Sequence, residues 1–270
     1  MLIDTHCHIH DRGTYNFAFS RQQIGKKFLR NHPGFPHEID DFTPEKIIAR
    51  AHNAGVMKMI CIGTSREDSL SARNFAEKHA ADGIFWSYGI HPDKATVAQS
   101  FSAVASSSLV AIGEVGLDYH ETTANRTAQI KLFEQMLQLA KDNNLPLIFH
   151  VRDAYPDFFS VIANFPDVRG VVHSFSDSSD NLQKSLAQGF YIGVNGLATF
   201  APELPTSQIP LNRILLETDA PFLTPSPFRG TINEPAHVKD VCAHLSKLKG
   251  ESEANIAEIT TQNAKQLFKI

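Results

Sequence analysis

Two imidazoles stand two residues apart at the end of the first apolar run, in Ile3-Asp4-Thr5-His6-Cys7-His8. Successive side chains of an extended strand alternate faces, so His6 and His8 project to one side and can share one metal ion. Similar residues recur after later apolar runs. His91 follows in Gly89-Ile90-His91-Pro92, Glu114 in Ala111-Ile112-Gly113-Glu114, His150 after Leu147 to Phe149, His173 after Val171-Val172, and Asp219 in Leu215-Leu216-Glu217-Thr218-Asp219. Any one alone reads as an ordinary strand-end residue, whereas their repetition at matching places reads as metal ligation. Imidazole nitrogens and carboxylate oxygens without thiolates suit Zn²⁺, Mn²⁺ or Mg²⁺ in a hydrolytic site. Even without His91, four histidines and two carboxylates are more than one ion with an open position needs. Two ions about 3.5 to 4 Å apart use them naturally, and lower a water's pKa from about 15.7 toward about 7.

For such residues to converge, their strands must end on one rim. Short apolar runs predict strands at Leu2–His6, Met57–Ile62, Ile84–Tyr88, Leu109–Gly113, Leu147–Phe149, Val171–Val172, Tyr191–Val194 and Ile214–Leu216. Helical patterns lie between them. Thr43-Pro44-Glu45 opens one helix, Ser65 and Asp68 start another, and Lys94–Ser106 is expected to be a third. Asn125–Asn143 places Ile130, Phe133, Leu137 and Ala140 on one face. Further helices are expected near Ala154–Asn164, Asn181–Gln188, Pro235–Lys247 and Glu253–Phe268. Strands too apolar to have a wet face imply a parallel sheet covered by helices, and eight of them imply a closed (β/α)₈ TIM barrel, one catalytic domain over residues 1–270. The alternative is an open doubly wound sheet. A long excursion at about 11–42 interrupts the pattern after the first strand; it holds Arg21, Lys26, Lys27 and Arg30 among Tyr15, Phe17, Phe19, Phe28 and Phe35. A short helix from Ser20 would set Ile24 and Phe28 one turn apart. Loops this long are usually functional or mobile.

Composition excludes other classes. Hydrophobic residues make up 42% and charged residues 20%, with no low-complexity tract, so disordered and fibrous chains drop out. Lys plus Arg is 25 against 29 for Asp plus Glu, a formal charge of −4, which argues against coating nucleic acid by bulk positive charge but leaves room for a local basic groove. Cys7, Cys61 and Cys242 are scattered, so neither a disulfide framework nor a zinc finger is indicated, and a reducing compartment fits. No basic segment followed by an apolar one opens the chain, and no apolar stretch nears the roughly 18 to 20 residues that span a bilayer. The expectation is a cytoplasmic protein with no membrane association and no obligate protein partner.

Several ordered motifs together resemble one family. They are Asp4-Thr5-His6-Cys7-His8, Gly89-Ile90-His91-Pro92, Ile112-Gly113-Glu114-Val115-Gly116-Leu117-Asp118-Tyr119, Ile148-Phe149-His150-Val151-Arg152, His173-Ser174-Phe175-Ser176, Leu216-Glu217-Thr218-Asp219-Ala220-Pro221 and Asn233-Glu234-Pro235. Running through nearly the whole chain, they resemble the TatD-type metal-dependent deoxyribonucleases, a branch of the amidohydrolase-like TIM barrels. The resemblance implies that His6, His8 and Asp219 hold one divalent ion, that His150 and His173 hold the other, and that Glu114 bridges. It further implies that Asp219 is the general base and that His91 and Arg152 contact substrate; by spacing alone, His91 reads equally as a residue fixing the turn before Pro92. Three features depart from the family: His10, read as a surface histidine where an acidic residue is common; Asp177, where glycine is usual, which would add negative charge beside a phosphate site; and the longer excursion.

The reading is a phosphodiester hydrolase, a deoxyribonuclease acting as exo- or endonuclease on DNA, including single-stranded ends, with a two-metal-activated water. The alternative enzyme is an amidohydrolase-type acyl or C–N hydrolase of a small molecule or aminoacyl-nucleic acid. It is distinguished by the lack of a cationic groove, for which Arg66, Arg152, Arg229 and the excursion's basic residues are the candidates. A metal-stabilised binding scaffold is a third reading, disfavoured because structural zinc sites usually close four-coordinate.

Overall fold

The computed structural model describes residues 1–95, 106–120 and 126–270. Eight strands lie side by side in sequence order and every neighbouring pair is parallel. They are β1 Leu2–Cys7, β2 Val56–Cys61, β3 Ile84–Tyr88, β4 Leu109–Asp118, β5 Leu147–Arg152, β6 Gly170–Val172, β7 Tyr191–Val194 and β8 Ile214–Leu216. The end of β8 returns to β1. Asp219 N donates to His6 O at 2.9 Å, His8 N to Ala220 O at 2.8 Å, and Thr5 Oγ1 to Leu216 O at 3.0 Å. An open sheet would leave these edges apart, so the architecture is the (β/α)₈ TIM barrel.

The helices are α1 Arg12–Ser20, α2 Lys26–Asn31, α3 Pro44–Asn53, α4 Arg66–Lys78, α5 Arg126–Asp142, α6 Tyr155–Ile162, α7 Ser179–Ala187, α8 Val238–Lys249 and α9 Glu253–Phe268. Their starts follow local chemistry: Pro44 stands in the first turn of α3, and Ser65 Oγ accepts from Asp68 N at the start of α4. One apolar layer lies between strands and helices, where Phe149 meets Phe133 of α5 and Phe158 of α6. A second fills the barrel with Ile3, Ile60, Ala111, Ile148, Val171 and Leu215. Leu267 and Phe268 of α9 pack into it, and Thr261 Oγ1 fastens that helix to Met1 O at 2.9 Å.

Strand parity carries the apolar interior up to the polar rim. Two residues beyond Ile148, Val171 and Leu215, on the same side, come His150, His173 and Glu217. β1 and β4 reach the same end by a register shift. Between Asp4 and Cys7 three steps on β1 match two on β2, and between Ile112 and Val115 three steps on β4 match two on β5. An extra residue flips the parity, so His6 turns inward where Ile3 alone would predict Thr5, and Glu114 turns inward where Ala111 would predict Gly113.

Several expectations are corrected. The excursion is not loop with a helix starting at Ser20: α1 ends there, capped by Asp11 accepting from Gly13 N, and α2 begins only at Lys26. β4 and β5 run on to Asp118 and Arg152, so Glu114 and His150 lie within strands rather than after them. Of the expected Lys94–Ser106 helix, Lys94 ends a 3-10 turn from Pro92, and residues 96–105 lie outside the described residues.

Candidate metal centre

Glu114 sits at the middle of the rim. Its Oε1 lies 2.8 Å from His150 Nδ1, 3.5 Å from His173 Nε2 and 4.0 Å from His91 Nε2; its Oε2 lies 3.7 Å from His6 Nε2. Asp219 Oδ1 is 3.6 Å from His6 Nε2 and 3.5 Å from His8 Nε2. The six residues read as ligands therefore meet in one place. Their potential ligand atoms form overlapping groups that could each hold an ion, among them His6, His8 and Asp219, and Glu114, His150 and His173. They open into a cavity of about 520 Å³ whose other walls include Thr64, Asp68, His91 and Asp93.

Residues around these six fix their positions. Asp4 accepts from His6 N at 3.2 Å, from Thr218 N at 3.0 Å and from Thr218 Oγ1 at 2.5 Å, tying β1 to the segment after β8. Asn233 Nδ2 donates to Thr218 O at 2.8 Å and Phe222 O at 2.5 Å, bracketing the turn that carries Asp219. Within that turn Asp219 adopts φ +57°, a left-handed conformation uncommon for a residue with a side chain and frequent at functional sites. On the other side, His150 Nε2 lies 2.8 Å from Asp118 Oδ2, and His173 Nδ1 lies 3.1 Å from Glu217 Oε1. A side chain at Gly193 would overlap the Glu217 carboxylate, so β7 must carry glycine there. Asp118 and Glu217 stand in the quoted motifs but were not singled out as site residues. The available signal was an acidic residue on the inner face of β8 and another at the end of β4.

The electrostatics divide the centre. Burial pushes the Glu114 carboxyl up, but His173 and His150 outweigh it and hold the group well below the usual carboxylate range. Burial likewise presses His150 and His173 down, and carboxylates overcome it: Asp118 and Glu114 carry His150 up to about 9, and Glu217 and Glu114 carry His173 up to about 10. For His6, burial wins with His173 beside it, and its pKa falls well below the ordinary value. Both nitrogens of this fully buried ring lack a hydrogen-bond partner. A neutral, orphaned imidazole facing Asp219 and Glu114 fits a divalent cation, which takes imidazole only as the free base.

The remaining predicted residues separate. His91 lies on the cavity wall, its Nδ1 2.7 Å from Asp93 Oδ1 and its ring 4.4 Å from that of His150. Arg152 is exposed at the end of β5 and is not among the residues lining this cavity. Asp177 lies just before α7 and turns toward its start, accepting from Ser178 N at 2.6 Å and Asn181 Nδ2 at 2.7 Å, while Ser178 caps the helix. His10 is no surface histidine. Its side chain is enclosed, with Nε2 3.0 Å from Asp68 Oδ1, and although burial lowers its pKa, Asp68 carries it up to about 10.

A family model described as "TatD related DNase" matches residues 3–269. The chain belongs to the TatD-related DNase family. It is a metal-dependent hydrolase acting on ester bonds. Among its TatD-family relatives is the metal-dependent hydrolase YabD of Bacillus subtilis, 37% identical over 242 residues that cover 85% of this chain and 94% of YabD. Another is the 3'-5' ssDNA/RNA exonuclease TatD of Pantoea vagans, 33% identical over 84% of this chain and 93% of its own. The solved structure of YJJV, a TatD homologue from Escherichia coli K12, superposes with a TM-score of 0.78 at 27% identity, covering 100% of this chain and 98% of that one. No helix among the described residues is long and apolar enough to cross a membrane.

Proposed function

We propose that this TatD-family chain is a two-metal phosphodiesterase that cleaves DNA and accepts single-stranded ends. The observation that carries the reading is Glu114, one carboxylate whose two oxygens face two histidine groups, His6 on one side and His150 with His173 on the other. His6, His8 and Asp219 would hold one divalent ion, Mg²⁺, Mn²⁺ or Zn²⁺, and His150 and His173 the second, with Glu114 between them. When bound, the two ions would supply positive charge for the phosphate oxygens and acidify the attacking water.

The chain's own residues do the rest. The Asp219 carboxylate, held by its backbone bond to His6 O, orients the attacking water and takes its proton at an Oδ atom. His91 Nε2 faces the same space, its ring fixed by Asp93 against Nδ1, and donates to a phosphate oxygen as charge builds there. Glu217 and Asp118 set the ring orientations of His173 and His150. Arg152 contacts a more distant part of a polymeric substrate from the rim. The single-strand nuclease named among the relatives supports a nucleic-acid substrate.

A second reading, hydrolysis of an acyl or C–N bond in a small molecule or aminoacyl-nucleic acid, is favoured by one feature. Asp11, Asp68 and Asp93 line the cavity against one lysine, Lys94, and among the described residues no arginine does. The test is to strip the protein with chelator, reload it with Mg²⁺, Mn²⁺ or Zn²⁺, and offer labelled single- and double-stranded DNA beside an acyl-ester and an amide panel. Metal-dependent release of nucleotides, faster from single strands, is the expected result. Turnover of an ester or amide with intact DNA under every metal overturns the nuclease reading.

A further inference from the structure

Beside the metal cavity lies a second one, of about 360 Å³, lined by Phe17, Arg21, Phe222 and Arg229. The two cavities share Phe17 and Phe222, so the wall between them is aromatic. These rings are half free: Phe17 is 48% exposed and Phe222 37%. Other aromatic residues of the excursion behave differently. Phe28 and Phe35 pack on each other and on Phe228, which uses up their faces. Arg21, just past α1, lies 4.3 Å over the Phe17 ring, and Arg229 lies 3.6 Å over Phe200. Each lies over a ring, and among the described residues no carboxylate compensates its charge.

The cavity's two sides are fastened together and to the centre. Gln23 N donates to Gly230 O at 2.9 Å, joining the excursion to the loop that carries Arg229. Phe222 N donates to Asp219 O at 2.8 Å, so the exposed ring is registered to the turn that bears the catalytic carboxylate.

We propose that Phe17 and Phe222 stack unpaired bases while Arg21 and Arg229 bind the flanking phosphates, forming a track that holds a single nucleic-acid strand beyond the nucleotide being released. The proposal rests on the phosphodiesterase reading. Every base offers a face to an aromatic ring or a guanidinium plane, and a duplex hides those faces, so the track selects single strands without selecting sequence. It is also the basic groove that the net charge of −4 leaves to local residues.

The test is fluorescence anisotropy of a labelled ten-nucleotide oligothymidylate on the chelated full chain, with cleavage of the same strand by metal-loaded protein followed separately. Arg21→Ala/Arg229→Ala should weaken binding about tenfold and flatten the slope of log affinity against log salt by about 1.4, two phosphates' worth for a single strand. An abasic strand should bind the wild type about tenfold more weakly than the normal one, Phe17→Ala should narrow that difference, and Phe17→Ala/Phe222→Ala should bind the two strands alike. Wild-type affinity and salt slope in the arginine variant, or equal binding of abasic and normal strands by the wild type, overturns the track. Failure of the metal-loaded wild type to cleave any DNA overturns the phosphodiesterase reading instead, and the binding measurements still decide the track.

Discussion

Around Glu114 the histidines fall into two groups with different surroundings. His150 and His173 meet carboxylates at both ring nitrogens, through Asp118, Glu217 and Glu114 itself. His6 is more deeply buried, is stacked 3.5 Å from His173, and has no hydrogen-bond partner for either nitrogen. The first group can balance its charges with protons alone. The second cannot, because burial and its neighbours keep His6 neutral, and an unsatisfied buried polar group costs about 1–3 kcal/mol. One side of the centre can thus balance itself without metal, and on the two-metal proposal the other is completed by it.

The sharpest way to break this comparison is to remove what both sides share. Glu114→Ala should abolish cleavage, by about a thousandfold or more, with an unchanged circular dichroism spectrum, and Asp219→Asn should do the same from the His6 side. Near-wild-type turnover in either purified, metal-loaded variant would refute the assignment. Glu217→Gln and Asp118→Asn act through His173 and His150, and metal titration should show affinity down about 10- to 100-fold. If instead they leave metal affinity unchanged, those carboxylates are structural.

Smaller effects fall on stability. Saturating metal at about 100 times its Kd should stabilise the chain by about 2.7 kcal/mol, raising the midpoint of thermal unfolding by about 5 °C or more over the chelated protein. His6→Phe keeps a flat ring and removes the orphaned nitrogens. In chelated protein it should be neutral or more stable by about 1 kcal/mol in urea denaturation, while losing most of the metal-dependent gain. Marked destabilisation of the chelated variant would mean that His6 already has a partner without metal.

The same two groups show how far residue pattern alone reaches. His150 and His173 follow apolar runs at the alternation of an inward-facing strand, so sequence suffices to place them on the rim. His6 near the end of β1 and Glu114 in the middle of β4 turn inward because the two strands each slip register by one residue, which depends on pairing with β2 and β5. Asp118 and Glu217 gain their meaning only from which ring nitrogen each touches, a tertiary fact. His10 was misread for the same reason, since its partner Asp68 lies 58 residues away on α4. In the excursion, the Asp11 cap is a readable start signal for α1, masked in the sequence by the segment's polar composition.

The two-metal proposal requires Glu114 to serve both ions and His6, His8 and Asp219 to hold one of them. Metal content and single-strand cleavage, measured on the same preparations of the wild type and of Asp219→Asn, test this most directly. Two ions per chain with cleavage in the wild type, and loss of one ion together with cleavage in the variant, is the predicted result. One ion per chain in a fully active wild type, or unimpaired cleavage by Asp219→Asn, would contradict it.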